Sequence, residues 1–369
     1  MSEVVDHLAE LTGFRDRDVM DVTLVSALRD LLEPRSVAIY RYIGEPGAER
    51  WLTRAHLRGD DAVATADPLW LEPDRLPPAA DFPQRLECMR SRTVLQWQPQ
   101  AVAGAAGSGI DVDRAPKLAQ DWINLFPIAT EREVIGVLEI HSASRLKSKA
   151  QRMVSSVLRI YHNFQGLLDY SERDTLTGLL NRKTFEESFL KALSELSTLA
   201  QVAAADPQAG ENDRRHENIH PQYFLGVIDI DHFKAVNDGF GHLIGDEVLL
   251  LLSRLMRSSF RFHDLLYRFG GEEFVVLMRC DEGVDAAHAF ERLRHNTEHY
   301  AFPQVGRITV SIGFTQVRVG DSPAAAFERA DKAVYHAKDN GRNQVHNHAE
   351  LVSAGQMQEA TQLSDMELF

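Results

Sequence analysis

The sequence predicts an α+β protein with two domains joined by a helix. The chain has 369 residues, more than the roughly 100 to 200 residues of one typical domain. Hydrophobic residues make up 44% and charged residues 25% of it, as in ordinary globular proteins. Apolar spacings typical of strands and of helices occur in both halves, so we expect mixed domains.

The first domain, residues 1–147, is predicted as a mixed α/β domain. A helix is expected at 18–32, and the β-branched and aromatic residues of 36–43 favour a strand. Residues 59–120 are rich in Pro, Ala, Asp and Gly, which favours loops. The other predicted strands are 51–57 (a hairpin partner of 36–43), 93–98, 122–129 and 133–141, the last two flanking a turn at 130–132.

Residues 148–173 are predicted to form a connecting helix. Its apolar residues recur at spacings of three and four, the period of one helix face. They are Met153, Val157, Ile160, Phe164, Leu167 and Leu168. The favoured interpretation is a parallel dimer stalk, and the alternative is a helix packed on its own domain.

The second domain, residues 174–346, has the predicted order β-α-β-β-α-β with flanking helices. This order is ferredoxin-like, with an antiparallel sheet covered by helices on one face. A capping box at 184–187 opens a helix to about 196, and Gly270-Gly271 predicts a two-residue hairpin turn. Predicted strands are 224–229, 265–269, 272–278 and 307–317; predicted helices are 245–260, 285–300 and 322–339.

Two segments of the second half have no predicted role. Residues 197–221 are polar and are interpreted as a flexible, solvated insertion. Residues 347–369 form a C-terminal tail.

Charge and composition limit the classes of binding partner that we expect for this protein. The net charge of −14 argues against duplex nucleic acid, because its binders usually present a basic surface. We predict no membrane segment and no secretory leader, and two separated cysteines fit a cytoplasmic protein. The second half is the more acidic, so phosphate handling there would need a divalent cation.

Carboxylates cluster where two predicted strands meet a turn. Asp229 ends an apolar strand, where a buried charge is costly unless it is paired. Glu272 and Glu273 follow the Gly270-Gly271 turn, and the predicted sheet makes the two strands central neighbours. Oxygen ligands without thiols favour Mg²⁺ or Mn²⁺. The 15 histidines are interpreted as lacking the spacing of a zinc site.

Five blocks in order resemble the GGDEF family of diguanylate cyclases, in its GGEEF form. The resemblance covers residues 172–346. The blocks are DTLTGLLNR (174–182), DIDHFKAVND (229–238), FGHLIGDE (240–247), RFGGEEF (268–274) and ADKAVYHAKDNGRN (330–343).

The resemblance implies condensation of two GTP molecules into cyclic di-GMP with release of two pyrophosphates, in a homodimer that needs Mg²⁺ or Mn²⁺. It makes Asp229, Glu272 and Glu273 catalytic and metal-binding, with the Ile230 carbonyl as a further ligand. For Glu273 a role as metal ligand or as general base stays open. Two-metal chemistry of this kind neutralises phosphate charge and stabilises in-line attack.

The resemblance also implies the nucleotide contacts. Asn237 and Asp246 are implied to bind guanine. Phosphate contacts are implied for Phe233, Lys234, Lys338 and Arg342. The alternative for Lys338 and Arg342 is that they only complement a helix dipole. Asp231 and Asp238 are interpreted as loop-capping carboxylates and not as catalytic residues.

Arg261 and Asp264 match the RxxD motif that binds the cyclic product at an inhibitory site in this family, with Arg268 as its third member. Product inhibition is therefore expected; the alternative is an ordinary surface ion pair.

The first domain resembles a GAF domain in its strands at 36–43, 124–129 and 134–140. The resemblance implies a sensory or dimerisation domain that receives an unidentified small-molecule or protein signal.

Three functions are compatible with the sequence. The leading one is a regulated diguanylate cyclase. A catalytically silent receptor would use the RxxD site to sense cyclic di-GMP, although such relatives typically lose GGEEF residues, and here all are present. A third is a sensor scaffold with incidental catalysis.

Overall fold

The computed structural model describes residues 17–44, 47–67, 75–99, 121–129, 134–205, 222–280 and 283–358. The chain divides into two compact units, residues 1–171 and 172–369, and each is described by itself. Among the helices of the described ranges, none combines the length and apolarity needed to cross a membrane.

The first unit contains a five-stranded antiparallel sheet. Its elements are α1 (Arg17–Leu32), β1 (Ser36–Ile43), β2 (Arg50–Arg58), α2 (Pro83–Ser91), β3 (Leu95–Trp97), β4 (Trp122–Ala129), β5 (Val134–Ser142) and α3 (Ser148–Glu172), with a short 3₁₀ turn at Ala79–Asp81. The strand order in the sheet is β2-β1-β5-β4-β3.

The two faces of this sheet have separate apolar cores. Met20 and Leu24 of α1 and Val154 and Tyr161 of α3 pack on one face. On the other, a smaller cluster around Trp51 includes Cys88 of α2. The predicted helix and the five predicted strands are confirmed. Helix α2 was not predicted because it carries few apolar residues, and the predicted turn at 130–132 lies outside the described residues.

Helix α3 packs on the first unit along much of its length. Val154, Val157, Tyr161 and Leu168 are buried in the core of that unit. Tyr161 also donates to the buried carboxylate of Asp21. The packing of this helix on its own domain, which was the alternative interpretation, is therefore observed. Several of the buried residues follow the predicted apolar positions by one residue in the sequence. The dimer stalk stays a prediction.

The second unit contains a six-stranded sheet. Its elements are β6 (Leu180–Asn181), α4 (Arg182–Ala205), β7 (Gln222–Ile230), α5 (Phe233–Phe240), α6 (His242–Ser259), β8 (Leu265–Gly270), β9 (Glu273–Cys280), α7 (Gly283–His299), β10 (Val310–Gln316), α8 (Pro323–Asp339), β11 (Val345–Asn347) and α9 (His348–Ser353). The strand order in the sheet is β11-β10-β7-β9-β8-β6. The four central strands pair antiparallel, and the edge strands β11 and β6 pair parallel to their neighbours.

The order β7-α6-β8-β9-α7-β10 confirms the predicted β-α-β-β-α-β arrangement, but the prediction of helices on one face is wrong. Helices α6 and α7 pack on one face, against residues such as Ile228. Helices α4 and α8 pack on the other, against Leu225 and Val227. Strand β7 is therefore buried on both faces, which explains its uninterrupted apolar run.

Several predicted boundaries differ from those in the structure. Asn181 caps α4, since its Oδ1 accepts from the Thr184 amide at 3.1 Å, so the helix begins before the predicted capping box. Helix α4 extends to Ala205 and includes the start of the predicted flexible stretch. Residues 206–221 lie outside the described residues. Strand β11 ends at Asn347, the first residue of the predicted tail, and helix α9 follows it within the tail.

The hairpin turn is shifted by one residue. Gly270 pairs with Glu273, and a bulge lies between Arg268 and Gly270. Gly271 and Glu272 therefore form the two-residue loop in place of the predicted Gly270-Gly271 pair. Both glycines have positive φ, 149° and 51°, and the left-handed value at Gly271 is one that glycine adopts at little cost.

Candidate active site

Three carboxylates meet at the ends of the two central strands β7 and β9. Asp229 lies directly opposite Glu273 in the antiparallel register, and Glu272 occupies the adjoining turn. Asp229 is only 7% exposed. The sheet therefore brings Asp229 to the GGEEF hairpin as predicted, although its register partner is Glu273 and not Glu272.

The surroundings of these three carboxylates disfavour their ionised forms. Burial, followed by the charge of Asp229, raises the pKa of both Glu272 and Glu273. Burial also raises the pKa of Asp229, against the effect of Lys338. A bound cation would favour the ionised forms of all three groups.

Asp331 of α8 is a fourth carboxylate at this site that the sequence interpretation missed. Its charge contributes to the raised pKa values of Asp229 and Glu273. Asp331 lies seven residues before Lys338, two helical turns along the same face. This seven-residue spacing is the feature of the sequence that could have identified Asp331 as part of the site.

One oxygen of Asp229 is paired and the other is not. Lys338 Nζ lies 2.8 Å from Asp229 Oδ2. Asp229 Oδ1 is buried and has no hydrogen-bond partner, a costly state for a carboxylate oxygen. This orphaned atom, beside Glu272 and Glu273, fits a hard divalent cation. Lys338 neutralises Asp229 here, whereas the resemblance implied a phosphate contact.

Asp231 has a structural role at the edge of this site. Its carboxylate accepts from Thr309 Oγ1 and Ser311 Oγ, both at 2.7 Å, and from the Asn343 amide at 3.0 Å. These bonds join the end of β7 to β10 and to the loop after α8. These bonds agree with the loop-capping role predicted for Asp231.

The predicted guanine residues lie on the adjacent helices α5 and α6. Asn237 is half-buried, and Asp246 and Lys234 are exposed. The side chain of Phe233 is buried in the core, so only its backbone, in the first turn of α5, could serve a phosphate. His232, which precedes α5, has φ of 58° and provides no side-chain cap.

Gly245 allows Asn237 to approach α6. A Cβ at position 245 would lie 2.0 Å from Asn237 Oδ1. Gly245→Ala should therefore displace the Asn237 side chain. The guanine contact that the resemblance implies for Asn237 would then be lost, and KM for GTP would rise by roughly three- to tenfold for about 0.5–1.5 kcal/mol. Steady-state kinetics would measure this. Gly239→Ala, whose Cβ would meet nothing within 4 Å, is the matched control, and equal KM values for the two variants would contradict the role of Gly245.

The loop that follows α8 presents Arg342 with an unusual backbone. Gly341, Arg342 and Asn343 have φ of 110°, 64° and 50°, a conformation that costs energy for the two residues with side chains. It is held by the bond from the Arg342 amide to the Ala337 carbonyl, 2.9 Å, and by that from the Asn343 amide to Asp231. Arg342 is thus placed by the same loop that Asp231 anchors.

Two of the three predicted product-site residues share a turn. The Arg261 amide donates to Asp264 Oδ2 at 2.8 Å, and Asp264 is buried. Arg268 has other partners: it donates to Asp174 at 3.1 and 3.2 Å and to the Gly271 carbonyl at 3.1 and 2.9 Å. Arg268 therefore braces the GGEEF turn, a role the sequence interpretation missed.

This sheet, with an acidic hairpin that joins β8 to β9, is the nucleotide-cyclase fold. Residues 171–344 match the family model described as "Diguanylate cyclase, GGDEF domain". Through its second unit the chain belongs to the GGDEF family, which confirms the resemblance drawn from the five blocks.

Individual proteins show the same relationship. The chain is 38% identical to the diguanylate cyclase DgcP of Pseudomonas aeruginosa, over 46% of this chain and 28% of that protein. It is 36% identical to the response regulator PleD of Caulobacter vibrioides, over 55% of this chain and 41% of that protein. The chain therefore spans less than half the length of these relatives. A solved structure of the active GGEEF domain of a diguanylate cyclase from Vibrio cholerae is 30% identical, covering 46% of this chain and 97% of that one, with a TM-score of 0.36.

Proposed function

We propose that the chain is a diguanylate cyclase that joins two GTP molecules into cyclic di-GMP and releases two pyrophosphates. The observation that carries the proposal is the buried Asp229, with its orphaned oxygen, opposite Glu273 of an intact GGEEF hairpin. Membership of the GGDEF family supports it. A silent receptor would not need to retain this costly arrangement of carboxylates.

Asp229, Glu272, Glu273 and the Ile230 carbonyl would hold Mg²⁺ or Mn²⁺. Bound there, the metal would neutralise charge on the triphosphate and stabilise the transition state. Lys338 would exchange its bond to Asp229 for a contact with the phosphates, together with Lys234 and Arg342. The backbone amides at the start of α5 suit the same anionic group.

Asn237 and Asp246 would select guanine. A carboxylate accepts from the N1 and N2 donors of guanine, and an amide can complete the edge. Adenine would leave these groups unpaired, which is the strongest form of discrimination between similar ligands. GTP is therefore the expected substrate.

In each half-reaction, the 3′-hydroxyl of one GTP attacks the α-phosphorus of the other. A phosphodiester bond forms, the bond to the pyrophosphate oxygen breaks, and the hydroxyl proton is lost. Glu273, whose pKa is raised, would accept that proton or hold the metal. Two facing copies of the second unit are required because each contributes one GTP, so the active form is a homodimer.

Turnover of the full chain tests the proposal. The protein is incubated with GTP and Mg²⁺, and the nucleotides are resolved by chromatography and mass spectrometry. Cyclic di-GMP and pyrophosphate are expected in a ratio of one to two. A protein that binds cyclic di-GMP but makes none, even after bound product has been removed, would instead be the receptor.

Product inhibition at Arg261 is a further expectation. Arg261 is exposed next to the buried Asp264, and its match to the RxxD motif implies that its guanidinium contacts the phosphates of the product. Arg261→Ala should raise the cyclic di-GMP concentration for half-inhibition about tenfold or more, since a hydrogen bond to a charged group contributes about 1.5–3 kcal/mol. The exposed Arg254, changed to Ala, is the matched control. Unchanged inhibition in Arg261→Ala would exclude this site.

The first unit is proposed to regulate the second. Its sheet resembles a GAF domain in sequence, and the signal would be a small molecule or a protein. Helix α3 is the covalent connection between the units. Tyr161 of α3 donates to Asp21, and Arg54 Nε pairs with the same carboxylate at 2.8 Å, so α3 is tied to the sheet that would receive the signal.

A further inference from the structure

Helix α7 carries a cluster of metal-ligating side chains away from the carboxylates described above. His295, Glu298 and His299 each offer one donor atom, and these atoms all lie within 4.8 Å of one another. The sequence interpretation that no histidines have zinc-site spacing is wrong here, because His295 and His299 are four residues apart on one helix face.

The donor set favours a transition metal over Mg²⁺. Imidazole suits Zn²⁺, Cu²⁺ and Ni²⁺, whereas Mg²⁺ prefers oxygen ligands. Both histidines are exposed, and their rings stack with centroids 4.0 Å apart. Arg294 and Asn343 lower the pKa of Glu298, so its carboxylate is ionised and able to act as a third ligand.

Glu298 connects this cluster to the Arg342 loop. Asn343 Nδ2 donates to Glu298 Oε1 at 3.0 Å, and Arg294 Nη1 donates to Oε2 at 2.8 Å. Arg294 also pairs with Glu291 at 2.6 Å, so it keeps a partner if Glu298 turns away. Asn343 in turn donates through its backbone to Asp231.

We propose that His295, Glu298 and His299 bind a divalent transition-metal ion of the Zn²⁺ class, and that binding weakens the hold of Glu298 on Asn343. The backbone of Asn343 and Arg342 is in the costly left-handed region. Besides the two backbone bonds described above, the loop is held through the Asn343 side chain, which donates to Glu298 and accepts from Arg294 Nη1 at 2.8 Å. Loosening the loop displaces Arg342. The consequence for GTP binding rests on the proposed function, in which Arg342 contacts the phosphates. The metal is therefore expected to raise KM for GTP.

The test measures metal binding first, without nucleotide. The full chain is titrated with Zn²⁺ in an excess of Mg²⁺, which occupies the oxygen-rich site, and Co²⁺ then reports nitrogen ligation through its visible spectrum. One Zn²⁺ per chain is expected. The double variant His295→Gln and His299→Gln should bind it at least tenfold more weakly, with an unchanged thermal unfolding midpoint.

A second histidine pair provides the matched control. His336 and His346 have ring centroids 4.9 Å apart, and His346 Nε2 is already within 2.7 Å of Gln344 Oε1. Changing both to Gln should leave Zn²⁺ binding intact. Loss of binding in this control alone, or equal affinity in the α7 variant and the wild type, would overturn the proposed site.

The second measurement is KM for GTP with and without Zn²⁺. It should rise severalfold in the wild type and stay constant in the α7 variant. A constant KM in both would overturn the coupling through Asn343. A protein that binds Zn²⁺ at α7 but makes no cyclic di-GMP would contradict the proposed function and leave the metal site standing.

Discussion

Glu273→Gln is expected to lower the rate of cyclic di-GMP formation by about 10²–10⁴-fold, the range typical of a lost acid–base group. The amide cannot accept the hydroxyl proton and is a poor ligand for a hard cation. Glu273 faces Asp229 across the strand pair, so the change would also weaken the proposed metal site. Product formation from GTP and Mg²⁺, measured by chromatography, checks the result.

The same variant should fold at least as well as the wild type without metal. Because burial and neighbouring charges raise the pKa values of Asp229, Glu272 and Glu273, the folded protein holds protons to higher pH than the unfolded chain. Stability of the metal-free protein therefore falls as pH rises from below their ordinary values of 3.8 and 4.5 through the raised ones. Removing one charge relieves that cost at neutral pH.

Two comparisons separate a lost catalytic group from a damaged fold. Mg²⁺ should raise the unfolding midpoint of the wild type, because a ligand that binds only the folded state stabilises it, and should do so less in Glu273→Gln. The exposed Glu187 on α4, changed to Gln, should alter neither rate nor midpoint. Full activity in Glu273→Gln would show that Glu273 has no role in catalysis, whatever the unfolding midpoint of the variant.

Local patterns in the sequence were sufficient to predict most strands and the carboxylate cluster. Apolar runs and turn residues identified β7, β8 and β9, and the expected sheet order placed Asp229 beside the hairpin. The second face of the sheet was not predicted, since a strand buried on both faces has no alternation that reports which helices cover it.

Contacts between residues distant in the chain account for the other differences. Arg268 pairs with Asp174, 94 positions away, and no spacing rule connects them. Asp331 joins the acidic cluster only because α8 packs across β10 and β7. Lys338 matched a phosphate-binding position, but its pairing with Asp229 depends on the absolute positions of helix and strand, which periodicity does not specify.

The helix that brings Asp331 and Lys338 to the site depends on a glycine. A Cβ at Gly313 of β10 would lie 2.2 Å from the Ala330 carbonyl oxygen, 2.4 Å from the Val334 nitrogen and 2.8 Å from the Ala333 carbonyl carbon. All three atoms belong to the backbone of α8. Glycine within a strand commonly marks such a close approach of another backbone.

Gly313→Ala is therefore expected to destabilise the second unit by about 3 kcal/mol or more, at the upper end of overpacking costs. Backbone atoms cannot move aside by changing rotamer, so α8 must shift as a whole and carry Lys338 away from Asp229. Denaturant unfolding measures the loss, and activity should fall even where the variant remains folded. Gly239→Ala, with open space around its Cβ, should leave both unchanged. A Gly313→Ala protein with wild-type stability and turnover would mean that α8 can move away from β10 without cost, and that the site does not depend on their close contact.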